Sequence, residues 1–564
     1  MTHVISGRVD QTPHMVTNDS PDICVIGAGV AGLALALRLA ANGQEVTLVD
    51  AGGPGLDATG DDLHRGRIES SVAAEDRTDT TLIGGSLYPR NHLTETRWRQ
   101  PGGSSWRWAA RGRPSSQRSV RMVEALPADF APRPAFDIPG FPVAAEDILR
   151  YGEDTLAFLG LEDHTFDPGD YDDGLQPADL PSHFYSKLFH FPAAETFQVV
   201  RPGEVDVHPG IDFRTGLQLR RFIREGQSLS GVEFVCRSGE STILTPGLVV
   251  LAIGGIENSR HLLAGAEDGS IPNPHDQLGR YFVDHPHIRL GYLDQAALKD
   301  LSYYDFQKIN DTFVLRGHGI DPGYADTNEL LRFSIDLVGR HELDGTSTGF
   351  ALARLQDGIQ RRDPVLMARS TARALRHPAA ALTLGQAARG GRVHHTGAGG
   401  WSDADERLLP VGLASVESMF EQRPSRDNRV RLGRETDRFG LQRPVLQWSF
   451  SELEVEAIHR AVEVTSDAFE TAGLGPLTTM RSLGDGPIPR AGTGLHHMGG
   501  TRMHADPEHG VVDEHGRMHE LDNLYIAGSS VFPTSVGYAN PTFTIIQLAL
   551  RLADHLAGTP GPAN

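Results

Sequence analysis

At 564 residues the chain is too long for one small core, and two domains or one elaborated pair is expected. With 39% hydrophobic and 22% charged residues it has the composition of a globular protein rather than a disordered one. Lys plus Arg total 52 against 73 Asp plus Glu, a net charge of −21 that argues against nucleic acid, and two cysteines exclude a disulfide framework.

The opening stretch, MTHVISGRVDQTPHMVTNDS, has no apolar core, no twin arginine and no cleavage pattern, so residues 1–20 read as a flexible tail. No apolar run approaches the roughly 18 residues of a spanning helix. A cytoplasmic protein with no membrane insertion is expected. Cys24 lies in an apolar run and reads as a small core residue.

Residues 22–53, DICVIGAGVAGLALALRLAANGQEVTLVDAGG, carry the first chemical signal. A short apolar strand runs into Gly27, Gly29 and Gly32 with GxGxxG spacing, then a helix rich in Ala and Leu. Asn42-Gly43 stops that helix, and a second strand ends at Asp50. Gly27 makes the tight turn, Gly29 admits a pyrophosphate to the backbone, and Gly32 lets helix pack on strand. The helix N-terminus offers N–H groups and positive dipole to phosphate, and Asp50 offers acceptors to ribose hydroxyls. This order of parts predicts a bound dinucleotide without separating FAD from NAD.

Later segments favour FAD. RWRQPGGSSWRWAA holds a glycine-serine turn, Gly103 and Ser104, among aromatics. GLVVLAIGGIENSRHLL is a buried strand ending in Gly254-Gly255 and a helix start, and LDNLYIAGSSVFPTS is another strand ending in the small residues Gly528 and Ser529. A nucleotide domain assembled from distant pieces is predicted. Residues 364–402 hold no Asp or Glu, and Arg369, Arg373 and Arg376 would line one face of a solvated helix, or of a lid or docking element. The neighbouring GGRVHHTGAGGW reads as a loop over a pocket.

Near the C-terminus GLHHMGGTRM sets His496 and His497 against Gly499 and Gly500. A metal site with His504 and His509 fits no common zinc spacing, and none is expected. Asn540 before Pro541 has the pattern of an N-cap with proline at N1, opening the apolar helix PTFTIIQLALRLADHL.

These pieces together resemble the glucose–methanol–choline (GMC) flavoprotein oxidoreductases. The resemblance rests on GAGVAG…VTLVDAGG, PGGSSWRW, VVLAIGGIENSR, LGRYFVDHP and HHMGGTRM…NLYIAGSSVFPTS…ANPTFTI, in the family's order along nearly the whole chain. It looks closest to bacterial members acting on sugars and polyols, such as pyranose oxidases and gluconate or fructose dehydrogenases. It implies an α/β fold with a discontinuous Rossmann-like FAD-binding domain and a substrate domain on an antiparallel sheet with helices. The FAD domain would take residues 21–120, 195–289 and 491–557; residues 121–194 would form a cap or substrate-domain segment. The substrate domain would take 290–490, where NRVRLG and RPVLQWSF read as strands, and 558–564 would be a tail.

By the same resemblance His496 is the catalytic base, with a pKa near neutrality, and Asn540 its companion; His497 is left as a half-buried histidine bonding to backbone. Gly499 and Gly500 would let backbone lie beneath the flavin ring. Pro541 and Thr542 join Gly27, Gly29, Gly32, Asp50, Gly103, Ser104, Gly254, Gly528 and Ser529 in holding FAD, the last helix aiming its positive end at reduced flavin. Arg107 stands where some relatives attach FAD through histidine, so noncovalent FAD is expected. The implied activity is oxidation of CH–OH on a sugar-like, cyclitol or aminoglycoside-type small molecule, with oxygen or an unknown electron acceptor. The alternatives are a flavoprotein subunit feeding a cytochrome partner and a flavin-bound lyase.

Overall fold

Ile23–Ile26 is buried at every residue, as a central parallel strand must be. In the computed structural model it pairs with Val46–Asp50 on one side and Leu248–Leu251 on the other. Ile211–Thr215 and Leu524–Ile526 complete a five-stranded sheet, parallel throughout. The strand order brings together segments from both ends of the chain. The structure describes residues 20–53, 63–69, 93, 96–108, 110–111, 118–171, 174–294, 302–310, 312–340, 348, 351–352, 355, 358–359, 364–379, 381–382, 412–479 and 491–559.

Two helices cover one region of this sheet and fix each other. Val30–Ala41 presents small and aliphatic residues, which allow close packing on Pro541–Ala557. At their far ends Asp554 accepts from Arg38 Nε at 2.7 Å and Nη2 at 2.9 Å, and from Asn42 Nδ2 at 2.8 Å. That charge-assisted fork sets how the first and last helices of the parallel-sheet region meet.

The second large sheet has seven strands and is antiparallel. It draws Phe184–Phe191, Pro286–Asp294, Gln307–Ile309, Thr312–Ile320, Phe333–Arg340, Leu413–Phe420 and Ala491–Thr493 into one layer. Alternation along the strands gives its faces different chemistry. One face carries Ile288, Phe333, Ile335, Leu337, Val416 and Phe420, which share a core with Ala457, Ile458 and Phe469 of the helix Glu452–Thr471. That helix starts in a reciprocal capping box between Ser451 and Glu454. The register puts Tyr185, Lys187, Asp336, Glu417 and His287 on the opposite face. There the Tyr185 hydroxyl bonds that of Tyr538, in the segment leading to Asn540.

The described part of the basic stretch is a surface helix, Pro364–Ala374, with Arg369 exposed and Arg376 exposed just beyond it. The glycine-rich loop that follows, with Arg389 and Arg392, lies outside the described residues.

Candidate active site

One cavity collects most of the glycine-rich segments. Gly27, Gly29, Asp50, Gly103, Ser104, Gly254, Gly528, Ser529, Pro541 and Thr542 all line it, and so does His496. The N-termini of the helices Val30–Ala41, Gly255–Asp268 and Pro541–Ala557 converge on it. Three positive dipole ends around one space suit an anionic ligand. Gly32 stays outside the cavity: a Cβ there would collide with the carbonyl of Gly27. At Gly29 the nearest atom to a Cβ would be Gly103 Cα at 4.0 Å, so that backbone is left open to a ligand.

Asp50 has a structural task as well as a place in the cavity. Its carboxylate accepts from Ala28 N at 2.8 Å and from Gly52 N at 2.8 Å, locking the glycine turn to the second strand. Burial raises its pKa against the pull of those two donors.

A charged wall of the cavity escaped the sequence reading. Glu257, in the first turn of its helix, pairs with Arg97, with Arg99 at 3.2 Å and with Arg260 at 3.1 Å. Burial opposes its ionisation, but Arg97, Arg260 and Arg99 hold its carboxyl well below the usual range. Beside them burial and then Arg99 and Arg97 push His64 down to about 3. The signal was the arginine on either side of Trp98 just before the glycine turn. Arg107 stacks its guanidinium over Trp98 at 4.1 Å from the ring centre.

This cavity fits FAD. Its lining brings the glycine turns, Asp50 and three helix N-termini to one space, the set of groups that a dinucleotide requires. Both ring nitrogens of His64, Trp98 Nε1 and Arg107 Nε are buried without a partner among the described residues. Such atoms in a polar wall are groups that a ligand satisfies.

His496 stands on the wall of the same cavity, three residues after the strand Ala491–Thr493. Its Nε2 lies 3.2 Å from Asn540 Nδ2. The Asn540 backbone caps the last helix, but its side chain makes no capping bond and turns to the histidine instead. The cap pattern in the sequence was therefore correct for the backbone and misleading for the side chain. The other ring nitrogen, Nδ1, lies 2.8 Å from Nδ1 of His285. His287 stands close by, its ring centre 6.2 Å from that of His496. Both came from LGRYFVDHPHIRL, where the alternating histidines of a strand were the available signal.

The expected near-neutral pKa of His496 needs correction. Burial, then the fields of His285, His287, His497 and Arg121, hold its imidazolium well below the ordinary range, so the ring is neutral. His497 is half-buried, with its carbonyl accepting from Ser529 Oγ at 2.7 Å. Gly499 and Gly500 adopt φ of 74° and 95° and tuck the chain against Tyr281 and Ser259. Among the described residues no group of three potential ligands could hold a metal, and no helix is long and apolar enough to cross a membrane.

Residues 424–549 match the GMC oxidoreductase family, and residues 22–192 match the FAD dependent oxidoreductase family. By these two segments the chain is similar to the GMC family of FAD-dependent oxidoreductases. It is 22% identical to the 2-methyl-1,2-propanediol dehydrogenase of Mycolicibacterium austroafricanum across 96% of this chain and 95% of that one. A segment of 147 residues is 33% identical to the 6'''-hydroxyparomomycin C oxidase of Streptomyces lividus, over 25% of this chain and 26% of that protein. The chain thus matches about a quarter of the length of that relative. A formate oxidase of Aspergillus oryzae RIB40 shares the fold, with TM-score 0.52 at 16% identity over 96% of this chain and 99% of that one.

Proposed function

We propose that this protein oxidises a hydroxyl group to a carbonyl on a sugar-like, cyclitol or aminoglycoside-type molecule, with FAD held noncovalently and His496 as base. The observation that carries the reading is the pairing of His496 Nε2, on the wall of the glycine-lined cavity, with the Asn540 amide. FAD, when bound, supplies the acceptor for the hydride that leaves the carbon. The chain's own residues handle the proton: the O–H bond breaks as an N–H bond forms on His496 Nε2, and the C–O bond becomes double. A neutral imidazole is ready for that step, and the Asn540 amide orients the oxygen beside it. The two electrons and two protons, one proton carried in the hydride and one taken up by His496, leave the enzyme with its electron acceptor, oxygen or another oxidant.

Two observations support a hydroxyl-rich substrate. His287 Nε2, Asp336 Oδ1 and Asn540 Oδ1 are buried without partners among the described residues, and His287 and Asp336 share one sheet face. The relatives named above act, by their names, on an aminoglycoside and a diol. We propose the domain division 21–120, 195–289 and 491–557 for FAD, with 121–194 and 290–490 forming the substrate side.

Anaerobic bleaching of the bound flavin by a panel of sugars, cyclitols, aminoglycosides and simple alcohols tests the proposal. Rapid bleaching by a polyhydroxylated member is expected. A flavin that no alcohol reduces would point to a lyase or a non-catalytic role.

A further inference from the structure

His285 has both ring nitrogens committed. Its Nε2 lies 2.8 Å from the carbonyl oxygen of Ser535 and 2.9 Å from that of Gly537. Carbonyl oxygens only accept, so His285 Nε2 carries a hydrogen and donates. Its Nδ1 faces His496 Nδ1 at 2.8 Å, the two rings nearly perpendicular at 83°. A contact that short between two ring nitrogens requires one hydrogen between them.

Burial pushes His285 down to about 4, so near neutral pH it carries a single ring hydrogen. That hydrogen is on Nε2, and Nδ1 is a bare acceptor. The hydrogen between the rings therefore belongs to His496 Nδ1. By exclusion His496 Nε2 is bare, and it is the nitrogen that meets the Asn540 amide donor.

The backbone around this arrangement is built to hold it. Val536, between the two carbonyls that hold His285, sits at φ 59°, and Leu495, just before His496, at φ 61°. A left-handed β-branched residue is strained and persists only where its surroundings impose it. At Val536 that conformation turns the Ser535 and Gly537 carbonyls to one point, and Thr534 Oγ1 accepts from Val536 N at 2.9 Å. Asp284 Oδ1 accepts the backbone N–H of His285 at 2.7 Å and of His496 at 2.9 Å, tying the two histidines to one oxygen. Gln422 Oε1 in turn accepts from Asp284 N at 2.9 Å and from Trp448 Nε1 at 3.0 Å.

We infer that His285 is a positioning residue that fixes the tautomer of His496, with hydrogen on Nδ1 and a bare Nε2 beside the Asn540 amide, where the proton of the reacting hydroxyl would be taken up. The inference rests on the reading of His496 as base. When His496 gains its proton, the Nδ1–H bond to His285 stays in place and no ring has to turn. Without His285 the Nε2–H tautomer becomes accessible, and it has no lone pair where the proton is released.

Nitrogen NMR of the FAD-loaded protein labelled with ¹⁵N-histidine tests this directly. The chain has 25 histidines, so the His496 signals are those missing from His496→Gln. Hydrogen on Nδ1 and a bare Nε2 are expected near neutral pH; hydrogen on Nε2 would overturn the inference. In His285→Phe the His496 signals should shift toward the other tautomer, and anaerobic flavin reduction should slow about 10–100-fold, the scale for losing an orienting partner. His285→Gln presents one acceptor and one donor and should restore much of the rate; equal rates for the Phe and Gln variants would also count against it. The pH profile of each variant reads His496 in the field of His285, His287, His497, Arg121 and Asp284. If His496→Gln reduces flavin normally the functional reading fails, whatever tautomer the wild type shows.

Discussion

Asn540 and His496 stand 44 positions apart in the chain, and the amide nitrogen of one meets the ring Nε2 of the other at 3.2 Å. The pairing gives the two adjacent histidines different duties, because the His497 carbonyl anchors Ser529 while His496 faces Asn540. His496→Ala should slow anaerobic flavin reduction about 10²–10⁴-fold with FAD still bound. Asn540→Ala should have an intermediate effect and His497→Ala a smaller one. Stopped-flow reduction of each variant decides it; a slow His497→Ala beside a normal His496→Ala would shift the assignment by one residue.

The acid side of the rate profile should be unusual for a histidine base. The base works in its neutral form, and His496 is held well below the ordinary range by burial and then by its histidine neighbours and Arg121. Its neutral form therefore persists as pH falls through the ordinary value of about 6.5. Flavin reduction should stay on its plateau there and decline only at distinctly lower pH. An inflection close to that ordinary value, with no other group assigned to it, would contradict the burial argument.

Two glycines of the fingerprint should fail differently. A side chain at Gly29 enters the cavity and meets little protein, so Gly29→Val should give a folded protein that retains no FAD. A side chain at Gly32 strikes the Gly27 carbonyl, so Gly32→Val should lose stability before cofactor binding matters. Thermal melting and flavin content of both variants separate the cases. Stoichiometric flavin in Gly29→Val would place the nucleotide elsewhere.

The elements legible in the sequence were those whose local pattern and tertiary role agree. Ile23–Ile26 is an apolar run because it is flanked by strands on both sides, and the glycines after it are spaced for the turn they make. The parts that escaped depend on side chains meeting across long separations. Glu257 reads as an ordinary first-turn acid until Arg97 and Arg99 fold onto it from far upstream. His285 sits in a segment whose likeness to the family was visible, yet its partner is 211 positions away and its second pair of contacts comes from a strained turn. Asn540 shows the ambiguity most clearly, since a cap and a site residue share one sequence pattern and only the side-chain direction separates them.

Arg107 bears on how the cofactor is held. It lies in the short helix Ser105–Trp108, half-buried, with its guanidinium 4.1 Å above Trp98. A guanidinium has its nitrogen lone pairs delocalised and is no nucleophile, so this position offers no covalent link to flavin. Acid precipitation should therefore release FAD into the supernatant, and flavin in the pellet would refute noncovalent binding. The stack has a second consequence, because Trp98 lines the glycine-rich cavity and Arg107 lies over the face of its ring. Cation–π contacts contribute about 0.5–2 kcal/mol, so Arg107→Ala should weaken FAD binding about 2- to 30-fold and alter Trp98 emission. Arg107→Lys keeps the charge but loses the planar stack and should fall between the two. Fluorescence titration of the apoprotein with FAD measures all three; an Arg107→Ala protein with unchanged affinity and emission would show that the stack has no part in holding the cofactor.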